Sequence, residues 1–101
     1  MSSKYSIRYL PSAERDLISI LDWIARDNPR RAVDFVEHIE KRLTKLETHP
    51  YIGSVPRHPR LREYGYRVLV IDKYLAFYVV RGKTVTLHRV IHGSRHYKDL
   101  L

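Results

Sequence analysis

Cationic and aromatic side chains crowd the C-terminal third of this chain, and their types set the chemistry open to it. Arg67, Arg89, His92, Arg95, His96 and Lys98 are interleaved with Tyr66, Tyr74, Tyr78 and Tyr97. A face built from them suits a polyanion. It also holds what metal-free RNA cleavage requires: a base for the 2'-hydroxyl, cations for the phosphorane and an acid for the leaving oxygen. The same residues equally describe a solvated sheet edge, with cations that discourage strand-to-strand association and half-buried tyrosines. Arg57, Arg60 and Arg62 fit a solvated run as well as a phosphate-contacting patch, and Trp23 reads as packing at the rim of a core.

Other chemistries find less support. The absence of cysteine removes disulfides, thiolate metal sites and a thiol nucleophile together. His88, His92 and His96 stand four apart on a predicted strand and its exit, which separates neighbouring Cα atoms by about 13 Å, too far for one shared zinc. None of the serines lies in a nucleophile elbow, and the four glycines never form a phosphate-cradling loop. No metal or other cofactor is implied. Nineteen Lys and Arg against eleven Asp and Glu give +8 at pH 7. Nucleic acid and an acidic protein both satisfy such a charge.

These side chains need a scaffold, and 101 residues suffice for a single domain spanning 1–101. Lys4 to Leu10 alternates Tyr5, Ile7 and Tyr9 against Ser6 and Arg8, the period of a strand. Ser12 is placed to cap a helix through about Arg26, whose apolar stripe is Ala13, Leu17, Ile20, Leu21 and Ile24. Asn28-Pro29 opens a second helix, with Ala32, Phe35, Val36, Ile39, Leu43 and Leu46 on its buried side, and it ends before Pro50. So short a connection makes the two helices an antiparallel hairpin. His49 to Gly65, broken by Pro50, Gly53, Pro56 and Pro59, reads as a surface loop. Tyr66–Ile71, Tyr74–Arg81 and Thr84–His92 then read as three antiparallel strands joined by two-residue turns at 72–73 and 82–83. The expected fold is α+β, in the order β-α-α-β-β-β, with a helical hairpin on one face of a small antiparallel sheet and the other face open. No apolar stretch is long enough to span a bilayer and no secretory signal is visible, so a cytoplasmic home is expected.

Several phrases resemble one family in order and spacing: Ala13-Glu14-Arg15-Asp16-Leu17 through Trp23-Ile24; Ala32-Val33-Asp34-Phe35 with Ile39; Pro50-Tyr51-Ile52-Gly53; Gly65-Tyr66-Arg67; Tyr74-Leu75-Ala76-Phe77-Tyr78-Val79; and Val90-Ile91-His92-Gly93-Ser94-Arg95. Together they are similar to the RelE/ParE toxin superfamily over nearly the whole chain, and to its ParE branch in particular. The resemblance implies the toxin of a type II toxin-antitoxin pair, of the kind that stabilises plasmids, neutralised by a cognate antitoxin whose extended, often acidic C-terminal segment wraps it. ParE-like members poison DNA gyrase, whereas RelE-like members cut messenger RNA in the ribosome. The nuclease branch carries cations in the middle strand, where this chain has the apolar run Tyr74-Leu75-Ala76-Phe77-Tyr78. The ParE resemblance therefore implies a gyrase inhibitor that is no enzyme, binding target or antitoxin through Arg67, Tyr74, Tyr78, Arg89, His92, Arg95 and Tyr97. The RelE alternative implies a metal-independent endoribonuclease using Arg67, Arg89, His92, Arg95 and His96.

Overall fold

A computed structural model describes residues 4–95 and Leu101. Strand β1 (Ser6–Tyr9) leads into helix α1 (Pro11–Asp27) and helix α2 (Pro29–Thr44), which tightens into a 3₁₀ turn at Lys45–Glu47. A short helix α3 (Pro59–Tyr64) precedes β2 (Tyr66–Ile71), β3 (Tyr74–Arg81) and β4 (Thr84–His92). No helix among the described residues is long and apolar enough to cross a membrane.

The sheet order is β1-β4-β3-β2. Its last three strands are antiparallel, joined by two-residue turns in which Asp72 (φ 54°) and Gly82 (φ 57°) take the left-handed backbone. β1, however, lies parallel to β4, from Ser6 beside Thr84 to Tyr9 beside Leu87. The sheet is thus mixed, not wholly antiparallel as expected. A two-residue turn can only reverse a strand, whereas the two intervening helices are long enough to return the chain in the same direction.

The helical hairpin turns on a single residue. Asn28 accepts hydrogen bonds from the N–H groups of Arg30 and Arg31 at 3.1 and 3.3 Å, and Pro29 fills the first helical position. Ser12 does not cap α1, which starts two residues earlier, with Leu10 in the cap position and Pro11 at its first turn. Its hydroxyl instead donates to the carbonyl of His88 at 2.7 Å. The helices bury Phe35, Ile39, Leu43 and Leu46 against Ile71, Ala76, Tyr78, Val85 and Leu87 of the sheet. Each fully buried large apolar side chain contributes about 1.5–3 kcal/mol.

Two expectations for the rest of the chain fail. The segment read as a loop contains α3, begun by Pro59 and ended by Gly65 at φ 101°, where a side chain would be strained. The far face of the sheet is not open: Leu61 of α3 and Leu101 pack there with Tyr66, Phe77, Val79 and Ile91 in a second, smaller core. Six residues were too short to show a helical period, so the Pro and Gly that bound α3 read as loop breakers.

Candidate functional site

The residues expected to bind or react separate into three groups. Arg67 and Tyr78 face each other across β2 and β3 and hold down the segment before α3. The Arg67 guanidinium donates to the carbonyls of Tyr51 and Gly53 at 3.0 and 2.9 Å and lies over the Tyr51 ring. The Gly53 N–H donates to the Tyr78 hydroxyl at 2.9 Å, and Ser54 exchanges backbone bonds with Val68. Tyr78 is fully buried, so it presents no surface to a partner. Burial pushes its hydroxyl above the usual tyrosine range, against the opposing pull of the Gly53 N–H and Arg67, and it stays a neutral brace.

Arg89 is bound to α1. Its Nε and Nη2 donate to the two carboxylate oxygens of Asp16 at 2.7 and 3.0 Å, and the Val90 N–H donates to the same carboxylate at 2.9 Å. The cause lies in the topology. β1 stops at Tyr9, opposite Leu87, so the edge of β4 beyond that point has no neighbouring strand. Ser12 and Asp16, one turn apart on α1, satisfy the backbone of that edge at His88 and Val90.

His92 and Tyr74 form the third group, in a groove of about 1030 Å³ between the helical hairpin and the turn after β2. Tyr74 meets Phe35 and His92 edge to face, each at 5.4 Å between ring centroids. The Ser94 N–H donates to Nδ1 of His92 at 3.2 Å, which leaves Nε2 to carry the proton of the neutral ring. Trp23 borders the groove and is 70% exposed, not rim packing as its sequence context suggested. His38 faces Asp72 across it at 3.4 Å. Arg95 sits exposed in the turn after β4, its N–H bonded to the His92 carbonyl, while His96 and Tyr97 lie outside the described residues.

Sequence reasoning missed a fourth cluster, on the far face of the sheet. Tyr64 stacks on Tyr66 at 4.8 Å, the Tyr66 hydroxyl meets Nδ1 of His88 at 3.0 Å, and Arg81 lies over the Tyr64 ring. Burial, aided by the charge of Arg81, holds His88 below its ordinary range and favours the neutral ring. A bulge collects these groups: Phe77 pairs with Arg89 and Tyr78 with Leu87, leaving His88 as the extra residue. An interruption of register has no mark in a run as regular as Thr84–His92.

Arg67 and Arg89, the two strand arginines that a nuclease would direct at phosphate, are held by carbonyls and by a carboxylate. Residues 7–97 match the family model described as the ParE toxin of the type II toxin-antitoxin system parDE. The chain belongs to the ParE toxin family. It is a type II toxin of the ParE/RelE superfamily. The fold agrees with that of a solved structure titled as the chromosomal ParDE toxin-antitoxin system of P. aeruginosa, at 23% identity, a TM-score of 0.74 and coverage of 90% of this chain and 98% of that one. A toxin-antitoxin complex of Mycobacterium tuberculosis, RelBE2, matches at 25% identity and a TM-score of 0.62, covering 88% and 98% of the two chains. Among curated proteins none matches the chain.

Proposed function

We propose that this ParE-family toxin acts in the cytoplasm by binding DNA gyrase, without catalysis of its own, and that a cognate antitoxin neutralises it. The observation that carries this reading is the commitment of Arg67 and Arg89 to bracing the fold. Between Tyr74 and Val80 the middle strand has no cation, and Arg81 at its end donates to the Tyr64 carbonyl and lies over the Tyr64 ring. A protein target needs a different surface, and the groove bordered by exposed Trp23 and half-buried Tyr74 supplies aromatic area of the kind that dominates interface energies. The solved neighbours come from toxin-antitoxin systems, and a net charge of +8 suits an acidic antitoxin.

The test adds the purified chain to gyrase supercoiling reactions and, in parallel, to translating ribosomes carrying a labelled message. Accumulation of gyrase-linked DNA breaks with intact message is the expected result. Codon-spaced cuts in the message with unaffected gyrase would overturn it and make Arg67, Arg89, His92, Arg95 and His96 the catalytic candidates, the histidines for proton transfer and the arginines for phosphate charge.

A further inference from the structure

The net charge of the chain belongs to one of its two layers. Residues 11–47, which form α1, α2 and the 3₁₀ turn, carry seven Lys and Arg against eight Asp and Glu, a net of −1. Residues 4–10 and 48–95, which form the sheet and α3, carry eleven against two, a net of +9. The +8 of the whole chain is therefore a property of the sheet side.

Strand register gathers part of this charge at one end of the far face. Ile7, Tyr9, Val80, Val85 and Leu87 turn toward the helices, so their chain neighbours turn away from them. Across the sheet those neighbours form two rows, Arg8-Thr86-Val79-Tyr66 and Ser6-Thr84-Arg81. The first row crosses three strand spacings, about 14 Å. Val79 and Tyr66 are buried, which leaves Arg8, Arg81, Ser6, Thr84 and Thr86 as the exposed or half-exposed members, two guanidinium groups and three hydroxyls with no carboxylate. Lys83 in the turn before β4, and Arg57, Arg60 and Arg62 in and before α3, are exposed as well. None of these six cations stands in an ion pair among the described residues.

Phosphodiester oxygens are the fitting ligand, because arginine, lysine and hydroxyl side chains make most protein contacts to a DNA backbone. An acidic peptide would also find charge here. None of the exposed positions in the two rows is apolar, however, so a peptide would bury no anchoring side chain among them. The groove beside Trp23 lies at the other end of the sheet, where Ile71, Tyr74 and His92 stand, and it opens beside the helices. A toxin seated on gyrase through that groove keeps both rows uncovered. We propose that the far face around Arg8, together with Arg60, Arg62 and Lys83, grips the backbone of the duplex DNA on which gyrase acts, so that the toxin bridges enzyme and DNA. The inference rests on the gyrase reading above and adds a second contact to it.

The experiment titrates a short labelled DNA duplex with the purified chain, by fluorescence anisotropy, at several salt concentrations. Four phosphate contacts give a slope of about −3.6 for log K against log salt, a loss of about 150-fold in affinity from roughly 50 to 200 mM. Arg8→Ala and Arg60→Ala should each reduce the steepness of that slope by about one, whereas Arg15→Ala, the same charge change on the helical layer, should leave it unchanged. In gyrase reactions the Arg8→Ala, Arg60→Ala double variant should need about tenfold more protein to accumulate DNA breaks, with binding to gyrase unchanged when DNA is absent. Equal effects of Arg8→Ala and Arg15→Ala on the slope would mean diffuse attraction and refute the site. A preference of about tenfold or more for single-stranded RNA would give the face to RNA, and loss of antitoxin affinity with duplex binding intact would give it to the antitoxin; either overturns the proposal. Break accumulation untouched in the double variant refutes the bridge and leaves the gyrase reading standing. A parent chain that binds the duplex yet has no effect on gyrase removes that reading and the bridge together.

Discussion

Replacing Asp16 with alanine removes one carboxylate and three hydrogen bonds together, which makes it a sharp test of the bracing argument. Val90, 2% exposed, would keep an N–H with no acceptor, a loss of about 1–3 kcal/mol. The Arg89 guanidinium would lose both bonds to its counter-ion. In a fully buried pair that alone costs about 3–5 kcal/mol, but the Arg89 side chain keeps 24% of its exposure and can recover water, so its share is the smaller. A total of about 2–3 kcal/mol follows, or a fall in Tm of roughly 10–20 °C for a domain of this size. Urea unfolding should show the midpoint moving with an unchanged slope, because the surface exposed on unfolding stays the same. Asp16→Asn, which keeps an acceptor but no charge, should lie between. A cycle with Arg89→Met should return a coupling above about 1 kcal/mol. A loss below about 0.5 kcal/mol for Asp16→Ala, the size of an ordinary surface change, would refute the idea that α1 closes the edge of β4.

Other expectations follow from the same geometry. Gly53→Ala should destabilise the chain by about 1–3 kcal/mol in the same urea assay, since a Cβ there would stand 2.6 Å from the Tyr78 hydroxyl and 2.8 Å from the Val68 carbonyl. His88 is held below its ordinary 6.5, so the unfolded chain takes up its proton first: stability is complete above that value and is lost as pH falls through the folded one. The urea midpoint should therefore drop between about pH 7.5 and 5.5 by more in the parent chain than in His88→Gln, the difference isolating this group from the other histidines. Trp23→Ala should weaken gyrase inhibition by about tenfold or more while changing stability by less than about 0.5 kcal/mol, because the indole is 70% exposed. Equal losses of inhibition and stability would return Trp23 to the core.

Most of the scaffold was legible because its elements are written in local periods. The stripes Ala13-Leu17-Ile20-Leu21-Ile24 and Phe35-Ile39-Leu43-Leu46 face the core as their spacing requires, and the turns at 72–73 and 82–83 fall between the paired residues. What escaped depends on contacts between distant parts of the chain. Ser12 has the type and place of a helix cap, yet its partner is a carbonyl 76 residues away. The parallel pairing of β1 with β4 is a fact of how the chain returns after two helices, and four residues alternating Ser-Ile-Arg-Tyr contain no hint of direction.

The same distinction governs the site. Arg67 and Arg89 read from sequence as contacts to a polyanion or a protein partner as well as cations of a solvated edge, because an arginine on a strand in a basic protein looks available, and a one-dimensional pattern carries no information on what fills its hydrogen-bonding capacity. Each has its partners 14 or more residues away along the chain: the carbonyls of Tyr51 and Gly53 for one, the carboxylate of Asp16 for the other. A guanidinium carries five N–H donors, so carbonyl or carboxylate partners do not exclude a phosphate, but they fix where the arginine stands, and each charged bond broken to move it costs about 1.5–3 kcal/mol. A toxin that works by binding, as proposed above, can commit such cations to its fold and meet its target with aromatic surface. The exposed Trp23 beside Phe35 and Tyr74, and the exposed Tyr64 stacked on Tyr66, are where this chain keeps such surface.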